Sequence, residues 1–405
     1  MDTVFLLPGQ GGYKPGLFAQ ETSPDVAEVL RVVDRVAGEF GRSGVSRLLL
    51  DVTAPSAAEL VRTDSFALQL AVFAAGLGSY RIAEARCSPD VLVGHSMGEI
   101  AALTAAGAFD TADGARIVCH RAEALLAHSS KSGGMVALEL TAARAKGVAD
   151  AVAVPGLGVA VINAPRQTVL SGPDEAVAKV LRLADALDVQ ATQLNAPFAF
   201  HSPLLRVAAE EFGAAITEIR QRPLRRRVYS PVAGGYLTDD TDMASLLVRQ
   251  LTAPVHFLNA VRELHASGAG HFVECGNAGL SGLVRRSVPD VTTDSTVEAR
   301  SETVVGSSVS VGVVSPVGVV PDVGVVLEQL RELYASTLGY PVEAITGDAD
   351  LEADLGVDSL KRAEMLGRVT ARFGLGDSAG DVRFIAQPTL GELADLVVSV
   401  KVAGR

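Results

Sequence analysis

One stretch constrains this chain more than any other: Val91-Leu92-Val93-Gly94-His95-Ser96-Met97-Gly98-Glu99-Ile100. A short apolar run ends in Gly-x-Ser-x-Gly, and an alanine-rich helical pattern follows from Glu99 to Ala106. A strand that turns directly into a helix brings the two elements close at both glycines. It strains the backbone at the serine and lifts its hydroxyl above the sheet edge. The next backbone N–H then points to where an oxyanion would develop. This context predicts an α/β fold and marks Ser96 as a nucleophile. The competing reading is a serine that only caps the helix.

A chain of 405 residues can hold two or three domains, and its 48% hydrophobic content suits a globular protein with a substantial core. The net charge of −12 argues against nucleic acid as a partner and fits a cytoplasmic enzyme. Cys87, Cys119 and Cys275 lack Cys-x-x-Cys spacing, so neither a disulfide framework nor a metal site is indicated. The N-terminus has no basic region of the signal-peptide kind. The uncharged span Thr303 to Pro321 has the length of a membrane crossing, but its glycines, prolines and serines mark a linker rather than a membrane segment.

Patterning divides the rest. Val4 to Leu7 reads as a strand ending in Pro8-Gly9-Gln10-Gly11-Gly12, a loop that allows close backbone approach to a ligand. Amphipathic helices are predicted over Val26–Phe40 and Ser56–Arg81, and a helix capped by Asp110 runs to about Ala127. From about 131 to 196, a strand–helix–strand–strand–helix–strand order predicts an inserted ferredoxin-like subdomain. A helix over Leu204–Arg220 and strands at Val228-Tyr229-Ser230-Pro231 and Gly270–Gly276 return the chain to the large sheet. The domains expected are 1–300, a linker at 301–324 and a unit at 325–405. That last unit carries 13 acidic and 8 basic residues, with helical stretches that suggest a small acidic bundle.

A serine nucleophile needs a base, and the chain offers seven histidines. His95 is expected to point away from the pocket and pack. His120 and His128 sit on a helix, and His265 and His271 lie near strand ends or the surface. His201 opens a helix after an extended segment, where a side chain can be held over a cleft, although an ordinary capping histidine would look the same. No acid is placed to complete a triad. Gly98 to Gly107 is about 15 Å of helix and Asp110 to Arg121 about 17 Å at about 1.5 Å per residue, so antiparallel packing would return Arg121 to the level of Ser96. There a guanidinium could clamp a carboxylate bidentately. Arg116 faces another side, and a solvated arginine is the alternative for Arg121.

Pro8-Gly9-Gln10-Gly11, Gly94-His95-Ser96-Met97-Gly98, Arg121, Asn163-Ala164-Pro165 and Phe198-Ala199-Phe200-His201-Ser202-Pro203 occur in one order along residues 3–295. In combination they resemble malonyl-CoA:acyl-carrier-protein transacylases and the acyltransferase domains of polyketide synthases. The resemblance implies an α/β-hydrolase-like large subdomain carrying an inserted ferredoxin-like one. It implies Ser96 as the acylated nucleophile and His201 as base, with Gln10 and Met97 giving oxyanion N–H groups and Arg121 holding the substrate carboxylate. It also implies a main-chain carbonyl at His256, in Pro254-Val255-His256-Phe257, that orients the imidazole in place of an acid. The segment before the base is similar to His-Ala-Phe-His in malonyl-selective members and to Tyr-Ala-Ser-His in methylmalonyl-selective ones. Phe200 therefore favours malonyl-CoA as substrate, while Phe198 departs from both patterns, as Cys275-Gly276-Asn277 departs from the family's usual Gly-Pro turn.

Asp354-Leu355-Gly356-Val357-Asp358-Ser359-Leu360 resembles the modification site of acyl carrier proteins. The resemblance implies a four-helix carrier bundle bearing 4'-phosphopantetheine on Ser359, attached by a phosphopantetheinyl transferase; a plain helix cap is the alternative. About 25 linker residues would span about 25–30 Å root-mean-square, enough for the carrier to be loaded in cis at about millimolar effective concentration, with loading in trans also open. The expected whole is an acyltransferase–carrier didomain that moves malonyl from CoA to a carrier thiol by a ping-pong route, serving a ketosynthase-containing synthase. With no ketosynthase before the first strand and no Leu-Pro-Thr-Tyr-like return segment, a separate protein is expected. A loading didomain for a monoacyl starter, a hydrolase that clears stalled carriers and a non-enzymatic carrier whose transferase serves as a docking scaffold are the rivals.

Overall fold

The computed structural model describes residues 2–128, 133–276, 278–296, 323–338, 345–347, 365, 368–369, 372–373 and 389–403. Contacts divide the chain into two units, Met1–Ser308 and Val309–Arg405.

The first unit begins with β1 (Asp2–Leu7), followed by α1 (Pro24–Glu39), α2 (Ser46–Leu50), α3 (Ala57–Thr63) and α4 (Ser65–Glu84). Next come β2 (Val91–Gly94), α5 (Gly98–Ala105) and α6 (Thr111–His128). The helical pattern expected over Ser56–Arg81 is in fact two helices. Asp64, at φ −153°, breaks it and caps the second helix by accepting from the Ala67 N–H at 2.9 Å. Ser56 and Glu59 form a reciprocal capping box at the start of the first. Helix α4 is apolar and long enough to cross a membrane, but 83% of its most apolar window is buried inside the protein, which makes it a core helix.

The chain then builds β3 (Gly133–Leu138), α7 (Ala142–Val152), β4 (Gly158–Ala164), β5 (Gln167–Pro173), α8 (Asp174–Ala186) and β6 (Ala191–Leu194). These strands form an antiparallel sheet in the order β4-β5-β3-β6, the ferredoxin-like arrangement. Val136, Leu138, Leu170, Val177 and Val180 give this insert its own small core. It is tied to the large sheet's side of the unit through β4. The Ile162 N–H donates to the Val255 carbonyl, and the Val255 N–H to the Ala160 carbonyl, both at 2.9 Å.

After a short 3-10 turn at Pro203–Leu205 come α9 (Arg206–Ala215), β7 (Arg227–Ser230), β8 (Gly235–Tyr236), α10 (Met243–Gln250) and α11 (Phe257–Ala266). The unit ends with β9 (Ala269–Glu274), α12 (Leu280–Ser287) and β10 (Thr292–Ser295). The helix after His201 is thus shorter than the expected Leu204–Arg220. The large sheet runs β10-β9-β1-β2-β7-β8, parallel throughout except for the β7–β8 edge pair. Val4–Leu7 and Val91–Val93 are buried on both faces, which is why these strands read as unbroken apolar runs rather than alternating ones.

In the second unit, α13 (Val323–Leu338) and α14 (Leu390–Ala403) contribute Val326, Leu330, Tyr334, Leu393, Ala394 and Val397 to a core completed by Ile345, Met365, Val369 and Phe373. The spacing of Met365, Val369 and Phe373 is that of one helix face, as the pattern from Ser359 to Phe373 predicts. Ser359 itself lies outside the described residues, as does most of the expected four-helix bundle.

Candidate active site

Strand β2 ends at Gly94, and the chain reverses into α5 within four residues. A Cβ at Gly94 would strike the backbone of Glu99, and one at Gly98 the Leu7 carbonyl, so only glycine lets strand and helix approach this closely. Ser96 between them sits at φ 54°, in the left-handed region that a non-glycine residue occupies only under strain. Gly9 from the first loop packs against the same turn; its Cβ would lie 2.8 Å from the His95 carbonyl and 3.3 Å from Ser96 Cβ. The loop bearing Gln10 is thereby held beside the serine, and the Gln10 side chain ties it to the Asn195 carbonyl at 2.8 Å.

Ser96 Oγ lies 2.7 Å from His201 Nε2. His201 is also in the left-handed region, at φ 57°, and is 4% exposed. Ser202 anchors the turn that follows by donating to the Gly156 carbonyl at 3.1 Å and accepting from the Leu204 N–H at 3.3 Å. On its other side, His201 Nδ1 faces the main-chain carbonyls of Gln250 at 2.8 Å and Ala253 at 3.1 Å. Both partners are acceptors, so Nδ1 carries the proton and Nε2 is left to accept from the serine hydroxyl. The expected carbonyl of His256 is therefore corrected. His256 precedes α11 and its N–H donates to the Pro231 carbonyl at 3.0 Å, whereas the end of α10 presents carbonyls that have no partner within the helix.

His95 points away from Ser96, with its Nε2 2.7 Å from Asn163 Oδ1 and its ring edge-on to Phe257 at 5.1 Å between centroids. His265 bonds the Ala269 carbonyl, and His271 pairs with Asp294.

Arg121 on α6 does reach the level of Ser96. It is 2% exposed, and its Nη1 donates to Gln69 Oε1 and approaches Met97 Sδ at 3.5 Å. Its guanidinium carbon lies 5.1 Å from the centre of the Phe200 ring. Its Nε is buried without a partner, and among the described residues no carboxylate pairs with it. Burial alone pulls its pKa down to about 9, so it remains cationic at neutral pH. Arg116, by contrast, faces outward to Glu39 and Asp113.

Gln10, Gln69, Ser96, Met97, Arg121 and Phe200 line one cleft, with Leu68 and Val72 supplying an apolar wall. Phe198 is not among these lining residues; it is buried behind Phe200, ring edge to ring face at 5.8 Å. Gln69 was not expected here, although a lone amide in the otherwise apolar run of α4 is a legible signal for a buried polar task.

Burial, and then the Arg121 charge, push the His201 pKa down to about 4. The imidazole is therefore neutral, and competent to accept a proton, at every pH above that. With Ser96 as nucleophile and His201 as its base, the expected consequence is an acylation rate that is flat from about pH 6 upward and falls tenfold per unit once pH drops below the His201 pKa. Neutralising Arg121 with a bound carboxylate removes a repulsion, so the midpoint should be higher with a dicarboxylic acyl group bound than in the free enzyme. Comparing pH profiles of kcat and kcat/KM checks this, because the first reports the bound and the second the free enzyme.

Residues 4–307 match the acyl transferase domain family, and residues 328–397, which include Ser359, match the phosphopantetheine attachment site family. Over 283 residues the chain is 34% identical to the spectinabilin polyketide synthase system protein NorA' of Streptomyces orinoci, a match that covers 67% of this chain and 7% of that protein. An acyl-carrier-protein S-malonyltransferase of Burkholderia pseudomallei superposes with a TM-score of 0.67 at 26% identity, covering 75% of this chain and 100% of the other. A loading acyltransferase from the avermectin modular polyketide synthase gives the same TM-score, identity and coverage. The chain spans only a small part of the curated synthases it matches, between 4% and 13% for three of them. With a strained serine paired to a neutral imidazole in the cleft its motifs predict, and a matching family model over most of its length, this chain belongs to the acyl transferase domain family, with a phosphopantetheine attachment region following it.

Proposed function

We propose that the chain transfers a malonyl group from malonyl-CoA to the thiol of an acyl carrier protein in polyketide or related lipid assembly. The single observation that carries the malonyl assignment is Arg121: a buried cation with no carboxylate partner among the described residues, lining the same cleft as Ser96. An unpaired buried charge is costly, and a substrate whose far end is a carboxylate supplies the missing partner. A monoacyl starter leaves the charge unpaired, which disfavours the loading alternative.

In the first half-reaction His201 Nε2 takes the Ser96 hydroxyl proton as the oxygen attacks the thioester carbon. The developing oxyanion is met by the main-chain N–H groups of Gln10 and Met97, and His201 returns the proton to the departing CoA thiolate. The malonyl group is then held as an ester on Ser96, with its carboxylate on Arg121. In the second half, His201 takes the proton from an incoming carrier thiol as its sulfur attacks the ester carbonyl, and returns it to Ser96 Oγ as the ester C–O bond breaks and the malonyl thioester forms. Ser359 is the attachment point we assign for 4'-phosphopantetheine, which supplies that accepting thiol when bound. The carrier region of the same chain is the natural acceptor, since tethering raises its effective concentration, and a carrier in trans can compete.

The test is intact-mass measurement of the phosphopantetheinylated protein exposed separately to malonyl-, methylmalonyl- and acetyl-CoA. Malonyl label is expected on Ser96 and then on the carrier region. Preferential acetyl labelling would support the starter alternative, and release of free malonate without carrier labelling would support hydrolysis. Phe200 fills space beside the acyl group, so Phe200→Ala should raise methylmalonyl relative to malonyl kcat/KM by about 10- to 100-fold, the scale of one methyl group in an apolar pocket. Competition assays with the two thioesters read this ratio directly.

A further inference from the structure

Beneath the Ser96–His201 pair lies a buried acid that the transfer chemistry above does not use. Glu99, on the first turn of α5, is 1% exposed. One of its carboxyl oxygens accepts from Ser230 Oγ at the end of β7, and the other from Gln250 Nε2 at 3.0 Å. The same amide nitrogen donates to the Ser96 carbonyl at 2.8 Å, so both of its hydrogens are engaged. Ser230 is itself fixed, its hydroxyl oxygen accepting from the Ala233 N–H at 3.0 Å. Gln250 is also the residue whose main-chain carbonyl accepts from His201 Nδ1 at 2.8 Å. One residue thus holds the nucleophile's backbone with its side chain and the imidazole with its backbone.

We propose that Glu99 is a positioning residue for acyl transfer: by accepting from Gln250 and Ser230 it fixes the Gln250 side chain, and so sets the separation and angle between Ser96 Oγ and His201 Nε2. The inference rests on the reading of Ser96 and His201 as nucleophile and base. It assigns the role to hydrogen bonding and not to charge. Burial and then the Arg121 charge depress His201, Glu99 is not among the groups that shift it, and burial itself disfavours the carboxylate form of Glu99. Ser96 and His201 both occupy left-handed backbone, and such conformations persist only where surrounding contacts over-determine them; this network supplies such contacts to both.

The experiment is rapid-quench measurement of Ser96 acylation by malonyl-CoA in the full chain, with KM determined alongside. Glu99→Leu, which keeps bulk but accepts nothing, should slow acylation by about 100-fold, the scale of a misplaced reacting pair, while KM stays within about threefold. Glu99→Gln should bring the rate back to within about threefold of wild type, because its amide oxygen still accepts from Gln250 while its amide nitrogen donates to Ser230. Gln250→Leu retains the main-chain carbonyl but loses the amide, and should match Glu99→Leu. The double variant should be no slower than either single one, since both remove the same link. Equal losses in Glu99→Gln and Glu99→Leu would make charge the cause and overturn the proposal. So would additive losses, a loss confined to KM, or wild-type rates in Glu99→Leu and Gln250→Leu. If Glu99→Leu does not fold, Gln250→Leu and Glu99→Gln still decide it. Absence of any acyl label on the wild-type protein is a different result: it removes the reading of Ser96, and this inference with it.

Discussion

Replacing Ser96 by alanine is expected to abolish the acyl-enzyme and to cut carrier loading by about 10⁴-fold or more, because a nucleophile and its base act as a unit and neither works alone. What remains would be the small effect of binding a thioester beside the oxyanion donors proposed above. The same position carries a second, opposite expectation. At φ 54°, Ser96 stores backbone strain that an alanine keeps and a glycine relieves. Ser96→Gly should therefore be as inactive as Ser96→Ala but more stable by about 1 kcal/mol after allowing for the glycine's greater freedom when unfolded. Mass spectrometry after malonyl-CoA exposure, paired with denaturant melts of both variants, measures the two effects separately. Substantial loading by Ser96→Ala would remove the serine from the chemistry.

The second large effect is expected at Arg121. Its guanidinium is buried against Gln69, Met97 and Phe200 with no acid beside it among the described residues, so a substrate carboxylate would meet it in a site largely shielded from water. Removing one member of such a buried pair costs about 3–5 kcal/mol, which corresponds to about 10²- to 10⁴-fold in kcat/KM. Arg121→Ala should lose that much with malonyl-CoA and little with acetyl-CoA, since acetyl brings no carboxylate to strand. The variant also relieves the repulsion on His201, so its acylation midpoint should rise from about 4 toward the ordinary imidazole range. Steady-state kinetics with both thioesters across pH test the pair of expectations together. An unchanged preference for malonyl would leave the arginine with a structural role only.

Much of this site was readable along the chain because its parts are local. The two elbow glycines, the serine between them and the helix that follows lie within a few residues, and their spacing encodes a turn that few other structures require. Helix length brought Arg121 to the level of Ser96 on the condition that two helices joined by a tight connection pack antiparallel, a condition that only the packed structure could meet. The βαββαβ order of the insert was equally plain from its alternating patterns. Other features left no such trace. β10 is Thr292-Thr293-Asp294-Ser295, polar at an edge where no apolar face is needed. The break at Asp64 interrupts what otherwise reads as one long helix.

The sequence by itself determined the chemistry available: a hydroxyl on a strained turn, an imidazole, a guanidinium and the order in which the chain delivers them. Tertiary structure alone decided how the imidazole is held and tuned. Its partners are the main-chain carbonyls of Gln250 and Ala253, and every residue carries such a carbonyl, so no side-chain pattern can announce them. Its low proton affinity, likewise, comes from burial and from a charge 80 positions away in the chain, quantities that exist only once distant segments have packed around it.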